Sequence, residues 1–207
     1  MKVKQLGFLA GIIGPVFFGI IVTSLTLLEY DYLRTLGWHP LYAPTRDWPR
    51  GLALGPYGLW MTLTFIVSGS LTILFALALG AELKPARSAQ FGSAMLASAG
   101  LAVAGLAFPT DPTIRLTPAT WHGRLHDLSF VLLGFSLLPA MLLLGAAFRH
   151  NRRWRNLSSY SWLTVVLAIP AFILKGISFY IFLLAVLVWS ETIALRLKTK
   201  NSNQKKG

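Results

Sequence analysis

The chain contains no cysteine. Disulfides, thiolate metal sites and cysteine nucleophiles are therefore excluded, and nothing marks the redox compartment. Charge is scarce as well: 13% of residues are charged, about half the share expected of a soluble domain. Acids are the scarcest class, with seven Asp and Glu against 19 Lys and Arg, and histidine occurs four times. There is no convincing internal repeat and no second domain.

What fills the chain is apolar. Hydrophobic residues make up 55% and the mean hydropathy is +0.61. They gather in runs of ~18 or more, the length that crosses a hydrocarbon layer ~30 Å thick. The expected fold class is all-α, a polytopic membrane helical bundle, because the runs are too long and too uniformly apolar for barrel strands. Six spans are expected at about 6–28, 57–79, 91–108, 122–148, 157–174 and 177–195, in a single domain over 1–197. A disordered basic tail, 198–207, follows. The run Leu6–Leu28 is too long for a signal peptide's apolar region and no small-residue cleavage site follows it, so it reads as a retained span.

Several residues foreshadow packing. Gly7, Gly11, Pro15 and Gly19 form a smooth stripe on the first span. Ser93, Ala97, Gly100 and Ala104 make the third span slim enough to pack centrally. Thr62, Thr64, Ser68, Ser70 and Thr72 are expected to bond back to their own helix. The long Glu29–Pro56 connection either folds over the membrane surface or covers a site, and its Trp38, Tyr42 and Trp48 suit an interfacial belt.

The net charge of +12 would suggest a nucleic-acid partner in a soluble protein. Here Lys and Arg sit at the ends of spans, so no nucleic acid is expected. The expected partners are the lipid bilayer and anionic headgroups at the cytoplasmic face. With six spans, Lys2, Lys4, Lys84, Arg87, Arg149, Arg152, Arg153, Arg155 and the Arg196–Lys206 cluster share one side, cytoplasmic by the positive-inside rule, with both termini. The Arg149–Arg155 loop then contacts anionic lipid, Glu191 pairs with Arg196 or Lys198, and Lys175 snorkels from a tight turn with Gly176.

The polar island between two apolar runs is Phe108–Asp127, FPTDPTIRLTPATWHGRLHD. Thr117 reads as a helix N-cap with Pro118 at the first helical position. A helix from there to Phe148 has about 30 residues, ~45 Å, so the turn His122–Asp127 lies at the outer membrane boundary. His122 and His126 are four apart and share a face. With Asp111 they form a candidate metal set for zinc, with water in an open position, and His39 and Asp47 from the first connection could join it. A carboxylate-oriented histidine acting as base is the metal-free alternative. The structural alternative has Asp111 accepting backbone N–H bonds in its turn while both histidines donate to loop carbonyls. Asp127 points about 100° away, toward Arg124, Arg115 or a polar cavity. Haem is disfavoured, since the other spans offer no axial histidine.

Phe108–Pro112 followed by His122–Asp127, FPTDP and HGRLHD, resembles the signature of a bacterial and archaeal membrane family, domain of unknown function 998 (DUF998). Asp47–Gly58, DWPRGLALGPYG, resembles that family's approach to its second span. The resemblance implies a six-helix integral membrane protein of a prokaryotic plasma membrane, with no established activity, whose recurrent residues correspond to Asp111, His122 and His126. More loosely, an outward Asp with HxxxH is similar to metal-dependent membrane hydrolases related to alkaline ceramidase, whose third histidine would fall on His39.

The expected function leaves the question of an enzyme open and leans toward none: an extracytoplasmic polar site of Asp111, His122, His126, Asp127, His39 and Asp47 that binds a small ligand or lipid headgroup, or serves structure. A zinc-dependent membrane hydrolase of a lipid or amide is the first alternative, and a small-molecule transporter the second. The scarcity of ionisable groups at mid-membrane weighs against proton coupling. Binding requires a pocket beneath the Glu29–Pro56 connection.

Overall fold

The structure, a computed structural model, describes residues 2–41, 49–111, 119–174 and 176–198. Asp47, Lys175, Arg115, Tyr42, Trp48, the Thr117–Pro118 cap and residues 199–207 of the tail lie outside them. The regular elements among the described residues are all helices: α1 (Lys2–Leu28), α2 (Tyr30–Thr35), a 3-10 turn (Pro49–Ala53), α3 (Gly58–Glu82), α4 (Arg87–Gly105), α5 (Trp121–Arg149), α6 (Asn156–Leu174) and α7 (Ile177–Lys198). Helices α1, α3, α5 and α7 are long and apolar enough to cross a membrane. Helices α4 and α6 have 19 residues each, roughly 28 Å, close to the ~30 Å of a hydrocarbon core. The molecule is an all-α membrane helical bundle.

The six long helices form a closed ring. Each packs on its neighbour in chain order, and α7 returns to pack on α1. Small residues set the approach. A Cβ on Gly69 would lie 2.5 Å from the Gly100 carbonyl oxygen, and one on Gly100 would lie 2.7 Å from that of Gly69, so α3 and α4 touch backbone to backbone. The glycine stripe of α1 is used as expected: Gly7 abuts Ala78 of α3, and Gly11 lies between Phe75 of α3 and Ala194 of α7. The slim α4 is a stave of the ring between α3 and α5, not its centre.

Two hydrophobic clusters pack the two ends. At one end Phe75, Leu79, Met141, Leu144, Phe148, Trp154 and Ile193 are buried together. At the other, Val22, Leu25, Leu33, Trp38, Leu52, Met61, Phe65 and Leu106 are. Trp38 is 1% exposed and so does not belong to an interfacial belt. Its position follows from Gly37, whose φ of 81° reverses the chain after α2 and lets the Trp38 N–H reach the Leu33 carbonyl at 3.0 Å.

The basic residues are not merely headgroup contacts. Glu82, the last residue of α3 rather than part of a loop, accepts from Lys4 Nζ at 2.8 Å and from Arg153 Nη1 at 2.8 Å. Arg153 also donates to the Arg196 carbonyl. One carboxylate thus ties together α1, α3, the α5–α6 turn and, through Arg153, α7. Arg153 is held because the ring brings an acid within its reach, which the spacing of charges along the chain does not reveal. Lys198 lies over the Phe8 ring.

Helix ends also differ from the sequence pattern. Helix α4 stops at Gly105, short of Pro109, because Ala107 and Phe108 turn back onto carbonyls three residues earlier. Helix α5 starts at Trp121 with Thr120 as its cap, three residues beyond the expected Thr117. Thr120 wins because its hydroxyl meets both the Gly123 N–H and the Asp111 carboxylate.

Candidate functional site

At the ring end away from Glu82, the capped start of α5 meets the end of α4. Thr120 Oγ1 accepts the Gly123 N–H at 3.1 Å and donates to Asp111 Oδ1 at 2.7 Å. Asp111 Oδ2 accepts the Thr120 N–H at 3.1 Å. Asp111 is buried, and its carboxylate sits so close to the α5 backbone that a Cβ on Gly123 would collide with it. The glycine of HGRLHD is thereby accounted for, and the N-terminus of α5 favours the negative charge.

The two histidines face main-chain carbonyls. His126, 4% exposed, turns Nδ1 to the carbonyls of Leu106 and Phe108, both at 3.0 Å. His122 turns Nδ1 to Thr120 Oγ1 at 2.9 Å and to the Pro109 carbonyl at 3.3 Å. A carbonyl only accepts, and the Thr120 hydroxyl proton is committed to Asp111. Each Nδ1 therefore carries the proton, and each histidine donates. Both rings thus fasten the frayed end of α4 to the start of α5.

A metal at this boundary would have to use the two Nε2 atoms. Among the described residues no three His, Asp or Glu side chains gather into a metal-binding group. His39 lies beyond Trp38 in the first connection, half-buried. Asp127 is exposed, around the helix from the buried His126. The structure therefore brings Asp111, His122 and His126 together at one helix junction, and places His39 in a different segment.

Beneath this junction lies a cavity of about 180 Å³ in the middle of the ring. It sits where the two end clusters meet, under Leu52 of the first connection. Phe18, Phe65, Phe75, Leu133 and Trp189 give it an apolar wall, and Ser68, Thr72, His126 and Ser190 are the polar residues in its lining. Thr62, Thr64, Ser70 and Thr72 bond back to the carbonyls four residues earlier. Ser68 breaks the pattern: its Oγ is buried and has no hydrogen-bond partner among the described residues.

A second polar feature escaped the reading of the sequence. Glu29, 2% exposed, accepts the Tyr57 N–H at 2.7 Å through Oε1, while Oε2 has no hydrogen-bond partner among the described residues. Gly55 is required beside it, since a Cβ there would overlap the carboxyl group. Burial pushes the Glu29 carboxyl above its ordinary value of 4.5, opposed by the Tyr57 hydrogen bond. Burial, then the Glu29 charge, also raises the Tyr32 phenol. The available signal was an acid placed directly at the end of an apolar run, with no polar spacer.

A family profile described as Protein of unknown function (DUF998) matches residues 38–196, most of the chain, and the protein belongs to that family. No curated protein and no solved structure matches it.

Proposed function

We propose that this DUF998 member is a six-crossing binding protein, its basic end toward the cytoplasm, that holds a lipophilic molecule in the cavity at the middle of the ring. The ligand's small polar group faces Ser68 and His126, and its chain lies among the phenylalanine and leucine side chains. Asp111, His122 and Thr120 hold the mouth of the cavity in shape rather than touching the ligand. Leu52 and Trp38 cover it.

The observation that carries this is the Ser68 hydroxyl. A buried hydroxyl without a partner costs about 1–3 kcal/mol. Four other hydroxyls on the same helix avoid that cost by bonding backward. Ser68 instead lines an apolar cavity with its Oγ unmet. A ligand acceptor or donor is the group that would satisfy it.

Native mass spectrometry of protein extracted in mild detergent tests this. The wild-type chain is expected to carry a bound apolar molecule, and Ala99→Phe, which fills the cavity from α4, to lose it. Ser68→Ala is expected to bind it more weakly and to raise the melting temperature of delipidated protein. A wild-type spectrum free of bound molecules, with Ser68→Ala thermally neutral, would sink the proposal.

A further inference from the structure

Among the described residues, the ends of the ring offer a ligand no easy path to the central cavity. Leu33, Trp38 and Leu52 pack one end, and Phe148, Trp154 and Leu197 the other, all at 1% exposure or less. The side toward α1 and α7 is different. There a larger recess, about 810 Å³, opens on the outer face of the ring between these two helices. Pro15, Leu183 and Leu187 line both the recess and the central cavity. The two spaces are separated by little more than those side chains.

We infer that the α1–α7 seam is the doorway through which a single-chain lipid passes sideways from the bilayer into the central cavity, with Leu183 and Leu187 as its partition. This rests on the reading that the central cavity binds a lipophilic molecule. The occupant of the recess is the chain of that same molecule, because the recess faces the hydrocarbon layer and is continuous with the cavity wall.

The seam is built to part in its middle. Pro15 supplies no N–H to the α1 ladder, which weakens the helix at the partition. Gly19 leaves a gap that Leu187 fills: a Cβ there would lie 3.1 Å from Leu187 Cδ1. Leucine can vacate such a gap by a rotamer change without moving the backbone. Both ends of the seam are anchored. The Thr26 and Tyr180 hydroxyls bond at 2.7 Å at one end, and Lys198 lies over Phe8 at the other. Thr23, Ser24 and Tyr180 line the recess at its Thr26 end, where they can receive a lipid's polar head while its chain turns inward.

The natural absence of cysteine makes the test clean. Gly19→Cys and Leu187→Cys are introduced together, and the protein is placed in vesicles containing a diazirine-tagged fatty acid. Photolysis and peptide mapping are done with the pair free, joined by a short cleavable thiol crosslinker, and released again. The free protein is expected to label in the recess, at Leu184 and Val188, and in the cavity, at Phe65 and Leu133. Joining the pair should abolish the cavity labels, leave those of the recess, and be reversed by cleavage. Leu187→Ala, which thins the partition without a crosslink, should speed cavity labelling. Cavity labels that ignore the crosslink, or a recess that never labels, would overturn the doorway while leaving the binding site standing. Cavity residues that stay unlabelled in the free protein and in Leu187→Ala would instead bring down the binding reading, and the doorway with it.

Discussion

Glu29 and His126 approach the ring mouth from different segments and serve the backbone in opposite senses. Glu29 accepts the N–H of Tyr57 ahead of α3, and His126 donates to the carbonyls of Leu106 and Phe108 after α4. Each satisfies a main-chain group that a helix end leaves open. Because burial raises the folded-state pKa of Glu29, the native protein holds that proton more tightly than the unfolded chain does. Its contribution to stability is then full below 4.5 and is lost as pH rises through the folded-state value. Glu29→Gln keeps an acceptor for Tyr57 and carries no charge, so melting temperatures measured across mildly acid to neutral pH should fall less steeply for it than for wild type. Equal slopes would refute the assignment. For His126, replacement by Ala leaves two carbonyls without their donor and is expected to cost about 1–3 kcal/mol. His126→Asn places an amide N–H near the former Nδ1 and should recover part of that loss. An Asn variant no better than Ala would show that the donor is not what matters. The histidines and Asp111 were visible in the sequence as a polar cluster. Donation from the histidines to loop carbonyls was one of the alternatives the sequence offered, but which carbonyls they meet, and the part played by the Thr120 hydroxyl, carry no signature in spacing.

Among the elements, the apolar runs announced the long helices because a run of about 20 such residues has few other fates. The ends were less legible. Thr117-Pro118 is a good local start signal, yet Thr120 caps α5, its hydroxyl lying beside the Asp111 carboxylate. Short α2 and the 3-10 turn at Pro49–Ala53 were hidden in the long connection, where Gly37 and the burial of Trp38 set the path by tertiary contact. At the opposite end, Glu82 bonds two cations from distant parts of the chain, and its side chain is 14% exposed. Glu82→Gln should therefore destabilise by about 1.5–3 kcal/mol, as for lost charged hydrogen bonds. Lys4→Gln should cost less, because Arg153 still holds the carboxylate. Melting curves in detergent decide this, and equal losses for the two variants would contradict the hub role of Glu82.

For the molecule as a whole, hydropathy predicts that helices bundle but not that they form a ring. The expectation of a slim central α4 failed because Gly69 and Gly100 seat α4 flat against α3, at the perimeter. Six helices around an axis leave a space that side chains close only at the two ends, and the cavity under Leu52 is that remainder. The binding reading asked for a pocket beneath the first connection at a polar site; the cavity that Leu52 helps to line is apolar and lies in the middle of the ring. Residues 65 to 75 read alone as an ordinary apolar helix face.

Ring closure also bears on how the protein is made. The stave that completes the circle, α7, follows the other five ring helices in the chain, and its partner α1 precedes them. During synthesis the α7-facing side of α1, including Gly11 and Gly19, has no protein neighbour, and Glu82 lacks Arg153 until the α5–α6 turn emerges. The nascent chain therefore waits in the bilayer as an open arc of helices, its future cavity exposed to lipid. The first molecule to occupy that cavity can be enclosed there as the final helix swings into place.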